Sequence, residues 1–176
     1  AEGAELVVLA DHGESLGEHG EDTHGLFVYD STLAVPLIVR YPAKIGGGAR
    51  HAGLVSGVDL APTLLDLMGL PPMPAAQGRS CSAGLTGGSV AEREPVYAES
   101  LYGERAYGWA PLHALRSSGE KYIDAPDREL YDLARDPGET RNLAHEHPGK
   151  VAELDARIDR FIAETGAAAP IPNPAW

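Results

Sequence analysis

A single cysteine, Cys81, stands among 176 residues, so no intrachain disulfide is available and the redox compartment stays open. Long apolar runs are missing as well: no stretch approaches the roughly 20 residues that span a bilayer. Cations are scarce, with 14 Lys and Arg against 26 Asp and Glu and a formal charge of -12. Nothing in the chain resembles a basic stripe, which excludes a nucleic-acid backbone as partner. An anionic substrate would have to be drawn by local groups rather than by the overall field. There is no internal repeat. No targeting leader is read at the amino end, and the chain runs almost at once into an apolar strand, so the natural chain is expected to begin earlier.

What remains is the composition of an ordinary folded protein, 43% apolar and 23% charged, of a length that suits one domain or a piece of something larger. The chemistry concentrates near the start. Leu6-Val7-Val8-Leu9-Ala10 reads as a strand covered on both faces, as in a parallel sheet with helices above and below. It ends in Asp11-His12-Gly13-Glu14, followed by Leu16-Gly17-Glu18-His19-Gly20-Glu21-Asp22-Thr23-His24. In open α/β sheets, ligands bind at the carboxyl ends of strands. Asp11 and His12 stand at that edge and supply one hard oxygen and one borderline nitrogen ligand, the pairing a divalent cation needs. Gly13 lets the chain turn away without a side chain blocking the site.

Further along, residues 26–33 form a short helix or turn and residues 35–41 a strand, with Pro36 near its start because proline cannot donate to a ladder. Gly46-Gly47-Gly48 marks a surface loop. Residues 58–69 have helical spacing, Asp59 as its cap and Gly69 as its end. Residues 71–94, rich in Pro, Gly and Ser, read as a long loop that holds an inert Cys81. Residues 95–100 form a strand, and residues 112–124 an antiparallel hairpin turning at Ser117-Ser118-Gly119-Glu120 that Arg116, Lys121 and Tyr122 help to build. A short strand at 129–133 follows. Val151, Leu154, Ile158, Phe161 and Ile162 then mark an amphipathic helix over 148–165. Residues 166–176 read as an irregular tail.

These elements, in this order, resemble the sulfatases of the alkaline phosphatase superfamily. The resemblance rests on the strand-Asp-His-Gly-Glu element, Leu16-Gly17-Glu18-His19-Gly20, Val35-Pro36-Leu37-Ile38-Val39 and Val58-Asp59-Leu60-Ala61-Pro62-Thr63-Leu64-Leu65. It continues through Ala114-Leu115-Arg116, Glu120-Lys121-Tyr122, Glu129-Leu130-Tyr131-Asp132-Leu133, Asp136-Pro137-Gly138-Glu139 and Asn142-Leu143-Ala144. It implies an α/β fold: a partial alkaline-phosphatase-like sheet with helices over 1–94, then a small antiparallel β subdomain with a C-terminal helix over 95–176. Members of the family are several hundred residues long, and this chain resembles their carboxyl-terminal third.

By that resemblance Asp11 and His12 are two ligands of one divalent metal ion, with calcium the first expectation and manganese, magnesium or zinc the others. His24 stands near the place where many relatives carry a lysine, and is expected to contact the anionic group or the leaving-group oxygen. His19 is a second candidate for substrate binding, although its residue type and place favour a loop residue. Glu14, Glu18, Glu21 and Asp22 read as solvated loop charges or turn and cap residues. His51 and His113 take surface or core roles, and His145 and His147 read as exposed. The family's nucleophile is a formylglycine made from Cys or Ser in a Cys/Ser-x-Pro-x-Arg motif. That motif is absent, since Cys81 is followed by Ser82-Ala83-Gly84-Leu85 and Ser89 through Arg93 carries Ala91 where Pro belongs. Formylglycine is thus expected only in a missing amino-terminal part of the same protein.

The leading expectation is the carboxyl-terminal portion of a metal-dependent sulfuric ester hydrolase, inactive without that partner. A phosphonate monoester or phosphodiester hydrolase on the same scaffold is the alternative within enzymes, and a non-catalytic folded fragment or binding module the alternative outside them. A fragment of an α/β domain would also expose apolar surface, so self-association is expected.

Overall fold

A computed structural model describes residues 5–89, 93 and 95–166. Of these, the residues through Leu9 and those from Pro36 to Arg93 gather into one compact unit, and those from Ala10 to Val35 and from Pro95 onward into a second. Among the described residues no helix is long and apolar enough to cross a membrane.

In the first unit, β1 (Leu6–Leu9) pairs antiparallel with β2 (Leu37–Arg40), Leu6 opposite Arg40 and Leu9 opposite Leu37. The expectation of a parallel strand buried on both faces is corrected here. An apolar β-branched run encodes a strand but not its neighbours, and two strands alone cover neither face. Leu6, Val8 and Ile38 are consequently 53%, 44% and 59% exposed. Pro36 falls just outside the ladder, as a residue without an N–H must.

A 3₁₀ turn at Gly57–Asp59 leads into α2 (Leu60–Met68). Asp59 is buried and anchors this start: its carboxylate accepts from the Ser56 N–H at 2.9 Å and the Arg79 N–H at 3.0 Å, and it pairs with Arg93. Asp59 thus stands at the N-cap of α2, as expected, and also reaches back to Ser56 in a reciprocal cap of the preceding turn. Gly69 ends the helix in the left-handed conformation, which lets the Leu70 N–H reach the Leu65 carbonyl at 2.9 Å. The segment read as a loop carries a short helix, α3 (Ser82–Leu85). Cys81 just before it is buried, its N–H donating to Thr63 Oγ1 at 3.0 Å.

The second unit is built on a four-stranded antiparallel meander: β3 (Val96–Ser100), β4 (Leu112–Arg116), β5 (Glu120–Asp124) and β6 (Glu129–Asp132), each paired with the next. The hairpin turn closes where the sequence places it, Ser117 N–H donating to the Glu120 carbonyl at 2.8 Å. A helix that periodicity did not reveal, α4 (Tyr102–Tyr107), connects β3 and β4.

Strand alternation sends successive side chains to opposite faces. Ala114, Ile123 and Tyr131 pack with Val28 on one face. Leu115, Tyr122 and Leu130 pack on the other, against Leu154 and Ile158 of α5 (Pro148–Thr165). Each of those two helix side chains is at most 3% exposed, and full burial of one contributes about 1.5–3 kcal/mol. Pro148 opens α5 where an N–H is not needed, and Gly166 closes it at φ 65°. The first face is covered by residues 26–33, which include α1 (Asp30–Leu33).

What ties that segment down is charge as well as packing. Asp30 Oδ1 and Glu139 Oε1 each lie 3.0 Å from the Nζ of Lys121, a residue with no exposed surface. Arg116 Nη2 is 3.0 Å from Asp30 Oδ2, and the Asp30 N–H donates to Glu139 Oε2 at 2.6 Å. Burial works to raise the Asp30 carboxyl, but the charge of Lys121 and the bonds from Arg116 and Lys121 outweigh it and hold the group below the ordinary aspartate range.

Candidate functional site

The residues expected to carry chemistry lie in the second unit, on a loop that starts at Ala10. Its path is fixed by backbone contacts. Gly13 donates to the Thr32 carbonyl at 2.7 Å, and a Cβ there would sit 2.3 Å from the Ser31 carbonyl oxygen. Gly13 is thus required by close approach to α1. Ser15, fully buried, donates its N–H to the Thr23 carbonyl at 2.8 Å and so draws the two arms of the loop together.

That closure brings His24 to His12. Their rings stack with centroids 3.6 Å apart at 22°. His12 Nδ1 is 2.7 Å from the Gly13 carbonyl oxygen, an acceptor only, so Nδ1 donates there and Nε2 is the nitrogen left to face another partner. Asp11 stands beside it with a largely exposed carboxylate, Oδ2 lying 3.8 Å from His12 Nε2. One cation can reach both atoms. His24 Nδ1 is 3.2 and 3.3 Å from the two carboxylate oxygens of Glu14, so Glu14 accepts its proton and leaves Nε2 for another partner.

Among the described residues, His12, Glu14 and His24 form the one group of three whose ligand atoms lie mutually within 4.8 Å, a set that fits a divalent cation. Asp11 is outside that group and meets it through His12. The donors present therefore suit a metal ion, and His12 is the residue common to the Asp11 pair and the group of three.

His19 goes elsewhere. It sits in a 3₁₀ turn at Glu18–Gly20 with a left-handed backbone, φ 55°, and its ring stacks on Tyr29 at 3.6 Å. Glu18 accepts the Leu16 N–H at 2.5 Å, and that bond foremost holds its carboxyl below the usual range.

Three residues that matter to the site carried no clear sequence signal. Glu14 stands two residues after His12, the spacing that puts both on one side of an extended segment. Glu21 is buried rather than solvated, accepting the Leu26 N–H at 2.7 Å and the Phe27 N–H at 3.4 Å. Ser100, at the end of β3, donates its hydroxyl to the Gly25 carbonyl at 2.7 Å. The latter two clamp the chain on the far side of His24.

Comparison with known proteins bears on this geometry. Residues 17–165 match the family model described as N-sulphoglucosamine sulphohydrolase, C-terminal. The chain is 29% identical over 167 residues to a Delta 4,5-hexuronate-2-O-sulfatase of Bacteroides thetaiotaomicron, covering 91% of this chain and 35% of that protein. It superposes on a solved 2-O GAG sulfatase with a TM-score of 0.80 at 27% identity, covering 97% of this chain and 39% of the other. A phosphonate monoester hydrolase of Agrobacterium radiobacter gives a TM-score of 0.73 at 26% identity, covering 91% and 35%. The chain spans about a third of the length of these proteins, and its α/β fold with an antiparallel sheet and C-terminal helix is that of sulfatases of the alkaline phosphatase-like class. It belongs to the N-sulphoglucosamine sulphohydrolase C-terminal family, the carboxyl-terminal domain of sulfatases.

Proposed function

We propose that this chain is the part of a metal-dependent sulfuric ester hydrolase that supplies half of its cation site and the group that meets the leaving oxygen. The observation that carries this reading is the stacked His12–His24 pair, with Asp11 beside one ring and Glu14 on the other. Asp11 and His12 would hold the cation, which when bound polarises the oxygens of the ester. Calcium is the first expectation, because Asp11 offers a hard carboxylate and the remaining ligands would come from an amino-terminal portion.

His24 has the complementary task. With the Nδ1 proton held by Glu14, Nε2 is the nitrogen available to the ester; as the imidazolium, His24 would donate its Nε2–H to a sulfate oxygen and pass that proton to the departing alkoxide, becoming the neutral imidazole with its Nδ1 proton still on Glu14. Glu14 holds the ring in place while this happens. No residue of this chain stands in a Cys/Ser-x-Pro-x-Arg motif, so attack on sulfur belongs to the amino-terminal portion and these 176 residues alone turn nothing over.

The likeness to a phosphonate monoester hydrolase favours a second reading, in which the same site serves a phosphorus ester. Turnover of sulfate monoesters, phosphonate monoesters and phosphodiesters by the full-length protein separates the two. Failure on every sulfate ester would sink the first reading. Metal-dependent turnover by the purified 176-residue chain would overturn the claim that it is only half of a site.

A further inference from the structure

His12 and Glu14 stand on one arm of the site loop and His24 on the other, and the bonds of Ser15 to Thr23 and of Gly13 to Thr32 fix both arms. One ligand atom from each of the three lies within 4.8 Å of the other two. One edge of this triangle is already at coordination spacing. His24 Nδ1 is 3.2 and 3.3 Å from the two Glu14 oxygens, and two ligands held tetrahedrally at ordinary zinc distances stand about 3.3–3.4 Å apart. An ion can therefore take over the position of the proton in that hydrogen bond. His12 brings the third ligand from the stacked ring. Its bond to the Gly13 carbonyl at 2.7 Å is the kind of outer contact that orients a ligating imidazole and turns the other nitrogen to the metal.

Donor type decides which ion fits. Two imidazole nitrogens and one carboxylate match zinc and its neighbours in the first transition row, with a fourth position left to solvent. Calcium takes about six to eight oxygens, and this trio offers it a single carboxylate. Asp11, which supplies the hard oxygen of the Asp11–His12 pair, is outside the trio. The side chains of His12, Glu14 and His24 are 42%, 49% and 42% exposed, so an ion has a path to all three.

We infer that His12, Glu14 and His24 form a second cation site, selective for a borderline divalent metal such as zinc and sharing His12 with the Asp11 pair, so that the chain holds one ion or the other. An ion on His24 Nδ1 replaces the proton there and excludes the imidazolium that serves the departing alkoxide. Zinc is on this account an inhibitor of ester cleavage. That consequence, unlike the site itself, rests on the reading of His24 as the group at the leaving oxygen.

Titration of the 176-residue chain with cobalt, followed by zinc, tests the site without any turnover, because four-coordinate cobalt absorbs strongly in the visible and hydrated cobalt only weakly. The expected result is one cobalt per chain with the strong band, bleached by stoichiometric zinc and untouched by a large excess of calcium or magnesium. Glu14→Gln, which keeps the shape of the side chain, and His24→Ala should each weaken zinc binding at least about tenfold, and Asp11→Asn should leave it unchanged. Absence of the band, displacement of cobalt by calcium as readily as by zinc, an affinity indifferent to both Glu14→Gln and His24→Ala, or an equal loss in Asp11→Asn would overturn the inference. Failure of the full-length protein to cleave sulfate esters would instead strike the catalytic reading and leave the metal site standing.

Discussion

Replacing Lys121 by methionine is the sharpest test of what holds the site segment to the sheet. The ammonium of Lys121 is fully buried and lies 3.0 Å from both Asp30 and Glu139. With it gone, Asp30 keeps Arg116, but Glu139, 2% exposed, retains only the Asp30 N–H. Breaking a buried pair by removing one partner costs about 3–5 kcal/mol, most of it the uncompensated charge left behind. At a urea m-value of about 2 kcal/mol/M, that moves the unfolding midpoint down by about 1.5–2.5 M. Near-ultraviolet circular dichroism is the suitable probe, because Tyr29 and Tyr131 report on the same face of the sheet. Adding Glu139→Gln to Lys121→Met should recover part of the loss, since the stranded charge goes with it. A shift below about 0.5 M, or a double variant no more stable than the single, would refute the account. The pH dependence has a fixed sign. The Asp30 carboxyl is lowered in the folded state, so the unfolded chain binds its proton first; the contribution is complete above the ordinary aspartate range and is lost as pH falls through the folded value.

Three other outcomes follow from the geometry. Gly13→Ala forces a methyl to 2.3 Å from the Ser31 carbonyl oxygen and should cost about 1–3 kcal/mol, seen as a lowered melting temperature; an unchanged melting temperature would show that α1 yields freely. Asp11→Asn and His12→Ala in the full-length protein should each weaken calcium or manganese binding at least tenfold by titration calorimetry, and unaltered affinity in both would remove them from the cation site. The exposed apolar faces of β1 and β2 should drive the isolated chain to self-associate, so a monodisperse monomer at high concentration in analytical ultracentrifugation would count against that expectation.

The carboxyl-terminal half was legible because its signals are local. Alternation in Leu112–Arg116 and Glu120–Asp124, a Ser-Ser-Gly-Glu turn and the 3.6-residue recurrence of Leu154, Ile158 and Ile162 each name an element without reference to anything distant. The first strand was legible as a strand and misjudged in its surroundings, because pairing direction and coverage depend on what packs alongside. For the proposed site, residue types single out Asp11 and His12 and the family resemblance adds His24, but the contact of Glu14 with His24 spans ten residues, and Glu21 became a buried clamp only through the turn at Glu18–Gly20. Lys121 and Arg116 read as hairpin residues for the same reason: their partner, Asp30, lies some ninety positions away.

That long-range pairing explains why a loop rich in charged and flexible residues can hold two imidazoles in register. From His19 onward the segment is tied to the sheet at successive points: His19 stacks on Tyr29, Ser100 holds Gly25, Tyr29 donates to Glu129 at 2.9 Å, and Asp30 closes on Arg116, Lys121 and Glu139. Gly13 then fastens the other arm to Thr32, two residues after Asp30. Both arms of the site loop are thus referred to the same short stretch, and that stretch to the core of the meander. A side chain on such a support can be held to the fraction of an ångström that proton transfer and ion coordination require. The small antiparallel subdomain is on this argument the base plate of the site, and a change in its buried ion network should move His24 relative to His12 before it unfolds anything.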